Sequence, residues 1–140
     1  MSAGDDAQQF NWLLNDFVKV TSGVTDAVAV SSDGLLMARS NTLDEAGAQQ
    51  VAAIISGFVS LGQGATRCFA FDDLNQIIVA MKGGYLFVSA MGTAGCLGVV
   101  ATPRCDIGNV GYQMALLVER AGTMLTPELI DELKHLVTAQ

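Results

Sequence analysis

Apolar positions along the chain switch between helical and extended spacing, and the switches mark out the elements. Phe10, Leu13, Leu14, Phe17 and Val18 fall at i, i+3, i+4, i+7 and i+8 behind Asp5 and Asp6, whose carboxylates suit a helix N-terminus. Residues 5–22 therefore read as an amphipathic helix ending before Gly23. Val24–Ser31 alternates and is rich in Val, Ser32-Asp33-Gly34 supplies a tight turn, and Leu35–Arg39 follows, which together predict a β-hairpin. Thr42–Gly62 reads as one helix of roughly five turns. Its start is a capping box of Thr42 and Glu45, and Gly62 is its stop.

Both faces of this second helix are unusual. Gly47, Val51, Ile54, Phe58 and Leu61 make one apolar stripe suited to a core. No charged residue lies between Ala46 and Thr66, so the other face carries Gln49, Ala52, Ala53, Ser56 and Ser60 where a solvated helix would show Lys and Glu. Such a neutral face suits a protein partner, because interface centres lose charge. The plainer alternative is a helix buried within its own domain. A membrane span does not fit, since the unbroken run Val51–Leu61 is far below the roughly 20 residues that a bilayer requires.

Beyond that helix Gln63-Gly64-Ala65 reads as a loop and Thr66–Phe71 as a strand. Short turns at Asp72–Asn75, Lys82–Gly84 and Gly92–Gly95 then separate Gln76–Met81, Tyr85–Met91 and Cys96–Thr102, which forces a meander of antiparallel neighbours. These strands are apolar at successive positions, as expected of a sheet covered on both faces. Pro103 ends the last strand, and Asp106 caps a helix with Val110, Met114, Leu117 and Ala121 on one side and Gly122 at its end. Thr126-Pro127-Glu128 opens a further amphipathic helix carrying Leu129, Ile130, Leu133, Leu136 and Val137. The order is α-β-β-α-β-β-β-α-α, an α+β fold with a five-stranded antiparallel sheet between helices.

At 140 residues the chain fits one domain, with a core at about 8–122 and a C-terminal helical extension at 126–138. A net charge of -7 and scattered basic residues argue against nucleic acid and against acidic membrane surfaces. Hydrophobic residues make up 51% of the chain and the mean hydropathy is +0.42, an excess that an oligomer would hide. The opening MSAGDDAQQ is acidic and has no apolar signal region, which points to a cytoplasmic protein. Cys68, Cys96 and Cys105 form no C-x-x-C pair and there is one His, so reduced core thiols are expected in place of disulfides or a zinc site.

Catalytic chemistry finds no purchase. Gly62-Gln63-Gly64-Ala65-Thr66-Arg67 follows a helix and lacks a third glycine, and Gly92-Thr93-Ala94-Gly95 has no Lys-Ser/Thr behind it, so neither is a phosphate loop. His135 has Asp131 and Glu132 near it but no nucleophile. Asp72 and Asp73 lack the further oxygen ligands that a cation needs. No catalytic residue, metal ligand or cofactor is expected.

The element order, the opening GVTDAVAVSSDGLLMARS with its Asp33-Gly34 turn, the uncharged second helix and the meander after it resemble the Roadblock/dynein light-chain family. The short Ala- and Gly-rich form is most similar to bacterial members found in conservon-type clusters beside a sensor-kinase-like protein and a Ras-like small GTPase. The resemblance implies a profilin-like layering and a homodimer in which the third strand, placed here at Thr66–Phe71, pairs with its twin while the second helices lie side by side. It further implies that the paired helices form a platform for a small Ras-like GTPase, with Gln49, Ala52, Ala53, Ser56, Ser60, Arg67 and Phe69 as interface residues. The function implied is a non-enzymatic regulator or scaffold that modulates GTP hydrolysis or localisation in a signalling complex. Some relatives stimulate hydrolysis by reshaping the GTPase's own switch loops, which needs no arginine from this chain. A PAS-like or profilin-like ligand sensor is the second reading; it requires an internal cavity of roughly 300 Å³ or more.

Overall fold

A hairpin and a three-stranded meander share one sheet because both present apolar residues on two sides and neither can bury them alone. The computed structural model describes residues 3–138, in the order α1 (Ala3–Val20), β1 (Val24–Ser31), β2 (Leu36–Arg39), α2 (Glu45–Cys68), β3 (Gln76–Met81), β4 (Gly84–Ala90), β5 (Gly95–Ala101), α3 (Ile107–Gly122) and α4 (Pro127–Thr138). The sheet runs β2-β1-β5-β4-β3, every pairing antiparallel, with β5 joining the meander to the hairpin.

Successive side chains along each strand enter different layers. Ala27, Ala29, Phe87, Leu97 and Val99 pack with Phe10, Leu13, Leu14 and Phe17 of α1 and with Val110, Met114 and Leu117 of α3. Val28, Val30, Leu36, Leu86, Val88 and Cys96 pack with Ala48, Ala52 and Ile55 of α2. Both faces of the sheet are thus covered, as the continuous apolar strands require. Gly98 in the middle of β5 lies opposite Val28 on one side and Val88 on the other. A Cβ there would overlap Ile55 Cδ1 and lie 3.0 Å from Ile55 Cγ1, so the missing side chain is what lets α2 settle onto the sheet.

The helix signals agree with the structure at α3, where Asp106 accepts the Asn109 amide at 3.1 Å, and at α4, where Thr126 Oγ1 accepts the Leu129 amide at 3.1 Å. At α2 they are misplaced. The cap is Asp44, whose Oδ1 accepts the Gly47 amide at 2.7 Å, while Thr42 hydrogen-bonds Ser40; there is no capping box of Thr42 and Glu45. Gly62 does not stop the helix. A Cβ at that position would come within 2.9 Å of Leu74 and 3.3 Å of Ile77, so this glycine serves close packing inside a helix that runs on to Cys68.

That extension removes the strand expected at Thr66–Phe71. Six segments read as extended, the sheet has five strands, and the surplus one is the last turn of α2 with its cap. The Ala70 amide bonds to Arg67 O at 3.3 Å and the Phe71 amide to Thr66 O at 2.9 Å, while Ala70 takes φ 54°. This is a Schellman closure with alanine in the left-handed position that glycine normally fills. The third strand is Gln76–Met81, at the open edge of the sheet.

Candidate partner-binding face

The rotation of α2 about its axis decides what it shows to solvent. Ala48, Ala52 and Ile55 face the sheet, with Val51, Phe58 and Val59 half-buried beside them. On the opposite side Gln50, Ala53, Ile54, Gly57 and Leu61 are exposed, Ile54 at 46% and Leu61 at 74%. A Cβ on Gly57 would meet nothing within 4 Å. Of the expected core stripe, Val51 and Phe58 pack against the core and Ile54 and Leu61 are on the outside. The true outward face is turned by roughly 100°, about one residue, from the expected one.

The residues singled out from sequence separate accordingly. Gln49, Ala53 and Ser60 are exposed on α2. Ser56 is half-buried; its Oγ donates to Ala52 O at 2.9 Å and lies 3.3 Å from where a Cβ of Gly34 would be, so it packs against the β1–β2 turn. Ala52 is corrected outright: at 1% exposure it belongs to the protein's own core and offers a partner no surface. Arg67 and Phe69 are exposed but sit on the last turn and cap of α2, not on a strand. Phe69 stacks on Phe71 with ring centroids 5.6 Å apart, both rings largely in solvent.

The edge strand lies beside this surface. β3 pairs only with β4; Ile77 and Val79 turn inward beneath α2 and Met81 is about half exposed, while Ile78, opposite Phe87, is half exposed on the other face of the sheet, the side of α3. Gln50, Ile54, Gly57, Leu61, Phe71, Ile78 and Met81 are not among the site residues expected from sequence. The available signal was an arc of large apolar residues on α2, from Leu61 and Ile54 through Phe58 and Val51 to Ile55 and Val59, wider than one sheet buries. An apolar, uncharged helix face beside an unpaired strand edge is the composition of a protein interface and a liability if left bare.

Two adjoining clefts of about 520 and 580 Å³ run beneath the second half of α2. They share Val59, Gln63, Gly92, Thr93, Gly95 and Cys96. Burial pushes the Cys96 thiol up to about 11, so it stays protonated and weakly nucleophilic at neutral pH. Of the other cysteines, expected in the core, Cys105 is half-buried and Cys68 is exposed. His135 stands in solvent with Nδ1 2.8 Å from Asp131 O, within its own helix. Asp33 is the carboxylate with a clear shift: a hydrogen bond from Ser31, then one from Lys134, holds it below the ordinary carboxylate value.

Set beside known proteins, the chain matches the Roadblock/LC7 domain family over residues 10–101. A Roadblock/LC7 domain from Streptomyces avermitilis is 36% identical, with 82% of this chain and 98% of that one covered and a TM-score of 0.76. The chain belongs to the Roadblock/LC7 family. MglB from Myxococcus xanthus, 13% identical over 86% of this chain and 92% of its own, has a TM-score of 0.77. The gliding protein MglB of Thermus thermophilus, also 13% identical, covers 89% of this chain and 91% of its own with a TM-score of 0.73. At that identity the two MglB proteins share the fold. A comparison with curated proteins found no match. No helix among the described residues is long and apolar enough to cross a membrane.

Proposed function

We propose that the protein is a non-enzymatic regulator or scaffold that homodimerises through the outward face of α2 and the edge of β3 and presents the joined helices to a small Ras-like GTPase. The observation carrying this reading is the exposed Ile54 and Leu61 on a helix with no charge between Ala46 and Thr66, next to a strand paired on one side only. Membership of the Roadblock/LC7 family supports it, as does a further solved structure of MglB, which has a tetrameric arrangement. In this reading β3 meets its twin antiparallel, backbone to backbone, and Gly57 lets the two α2 helices approach closely. GTP hydrolysis or localisation of the GTPase would then change through reshaping of its own loops, without a catalytic group from this chain, in a cytoplasmic signalling complex that includes a sensor-kinase-like protein.

The test has two parts. Light scattering on the purified protein should give twice the chain mass, and Ile54→Glu should give the chain mass. Phosphate release by small Ras-like GTPases, loaded with GTP and mixed with wild type or Ile54→Glu, should change with wild type alone; no binding and no change with any of them would overturn the proposal. The sensor reading is less well supported, because the clefts beneath α2 open at the surface while the strands fill both core layers with side chains.

A further inference from the structure

The end of α2 is both strained and apolar. Gly62 and Gly64 lie inside the helix, which runs on to Cys68 and is closed by Ala70 at φ 54°, a left-handed conformation that disfavours any residue with a Cβ. Three amides hold the closure, Phe69 to Ala65 O at 3.0 Å, Ala70 to Arg67 O at 3.3 Å and Phe71 to Thr66 O at 2.9 Å. Phe69 and Phe71 nevertheless stand largely in solvent. Thr66, Phe69 and Phe71 are residue types that favour strands, and Asp72–Asn75 is a loop of hairpin length before β3.

Folded back as a hairpin about that loop, the same residues match β3. Phe71 would stand opposite Gln76, Ala70 opposite Ile77, Phe69 opposite Ile78 and Cys68 opposite Val79. Phe69 would then join a cross-strand row with Ile78 and Phe87 on the α3 face, where Ile78 is now half exposed. Cys68 and Ala70, both small, would fall beside Val79 and Ile77 on the face that α2 covers. Gly62 already lies against Ile77, and the six residues from Gly62 to Cys68 span up to about 20 Å when extended, so the open side of β3 is within reach. We infer that Cys68–Phe71 is a conformational switch: as the cap of α2 it leaves the β3 edge open to a second copy, and as a short strand on β3 it closes that edge from within the chain. A very short edge strand is itself a poor template, so the closed form is the monomeric one. The inference rests on the proposed β3 dimer for its consequence, that self-association draws the chain toward the helical cap.

Ala70→Val favours the strand, because a β-branched side chain is barred from the left-handed position, and Ala70→Gly favours the cap. Light scattering across a concentration series, with circular dichroism to establish folding, should show Ala70→Val dissociating at a concentration at least tenfold above wild type and Ala70→Gly at a lower one. A second pair of positions reads the switch without the dimer. Ile78 projects from the α3 face while Phe69 caps a helix on the other side of the sheet, so the two come together only in the hairpin. Phe69→Cys with Ile78→Cys, in a Cys68→Ser background, should form a disulfide within one chain under oxidation, and adding Ala70→Gly should slow it severalfold. Equal dissociation of folded Ala70→Val and Ala70→Gly overturns the inference, as does the absence of that intrachain disulfide. A wild-type protein that is monomeric at every concentration, with the disulfide formed, would instead sink the β3 dimer and leave the switch standing.

Discussion

Helices α2 and α3 cover opposite faces of one sheet, yet they differ in what seats them and in the charge they show to solvent. On α3 Val110, Met114 and Leu117 go inward, and the solvent side mixes Tyr112 and Leu116 with the charges of Glu119 and Arg120. On α2 the small Ala48 and Ala52 go inward with Ile55, and Ile54 and Leu61 go outward. The sheet itself causes the difference. Ile55 drops into the space over Gly98 and draws the helix close, so small residues must flank it. Large apolar groups are then left for the other side, where the proposed partner would meet them. A helix that seats Ile55 between buried alanines and still turns Ile54 and Leu61 outward is serving two surfaces at once.

The sharpest break between the two sides of α2 comes from neighbouring alanines. Ala52→Glu puts a carboxylate into the apolar layer that holds Val28, Val30 and Leu86 and should cost about 3–5 kcal/mol, a large share of the protein's stability. Ala53→Glu, one residue on and exposed, should change the stability of the monomer by less than about 0.5 kcal/mol. It should nevertheless weaken self-association roughly tenfold or more, by setting like charges across a desolvated contact. Urea melts and light scattering on the pair decide the matter; equal effects of the two changes would erase the distinction between the faces.

Gly98→Ala tests the cause of the difference. The added methyl forces Ile55 out of its place and should destabilise by about 1–3 kcal/mol. Combining it with Ile55→Val should recover part of the loss, since the smaller side chain no longer reaches the new methyl. Additive losses in urea denaturation would mean that the two positions do not share the space.

How far the sequence could be read follows from the same contrast. At α1 and α3 the periodicity had one possible origin, a single sheet face, and the residues expected inside are inside. At α2 the same periodicity had two origins: Val51 and Phe58 were assigned to the right one, Ile54 and Leu61 to the wrong one. The end of α2 was illegible for a separate reason: Ala70 occupies the left-handed position where a glycine would have announced the stop, while Gly62, which looked like the stop, is small because Leu74 and Ile77 press on it. The strand misread at Thr66–Phe71 is a direct consequence. Ala70→Gly should accordingly raise stability by about 1 kcal/mol by relieving the left-handed alanine, read as a higher midpoint in urea.

The smallest effect concerns the edge between the two helical layers, where Asp33 ties the β1–β2 turn to α4. Its carboxyl is held below the ordinary value of 3.8 chiefly by the hydrogen bond from Ser31 and next by that from Lys134. A depressed folded-state value means that the ionised form is the stabilising one. The contribution is present at neutral pH and everywhere above about 3.8, and it is lost as pH falls through the lower folded-state value. Thermal melts of wild type and Asp33→Asn should therefore differ by about a degree at pH 7, since the Asp33 side chain is more than half exposed and ion pairs at the surface contribute little. The difference should close as the solution is taken down toward pH 3. A difference that widened in acid would mean that the protonated carboxyl is the better partner and that α4 is not fastened by this charge.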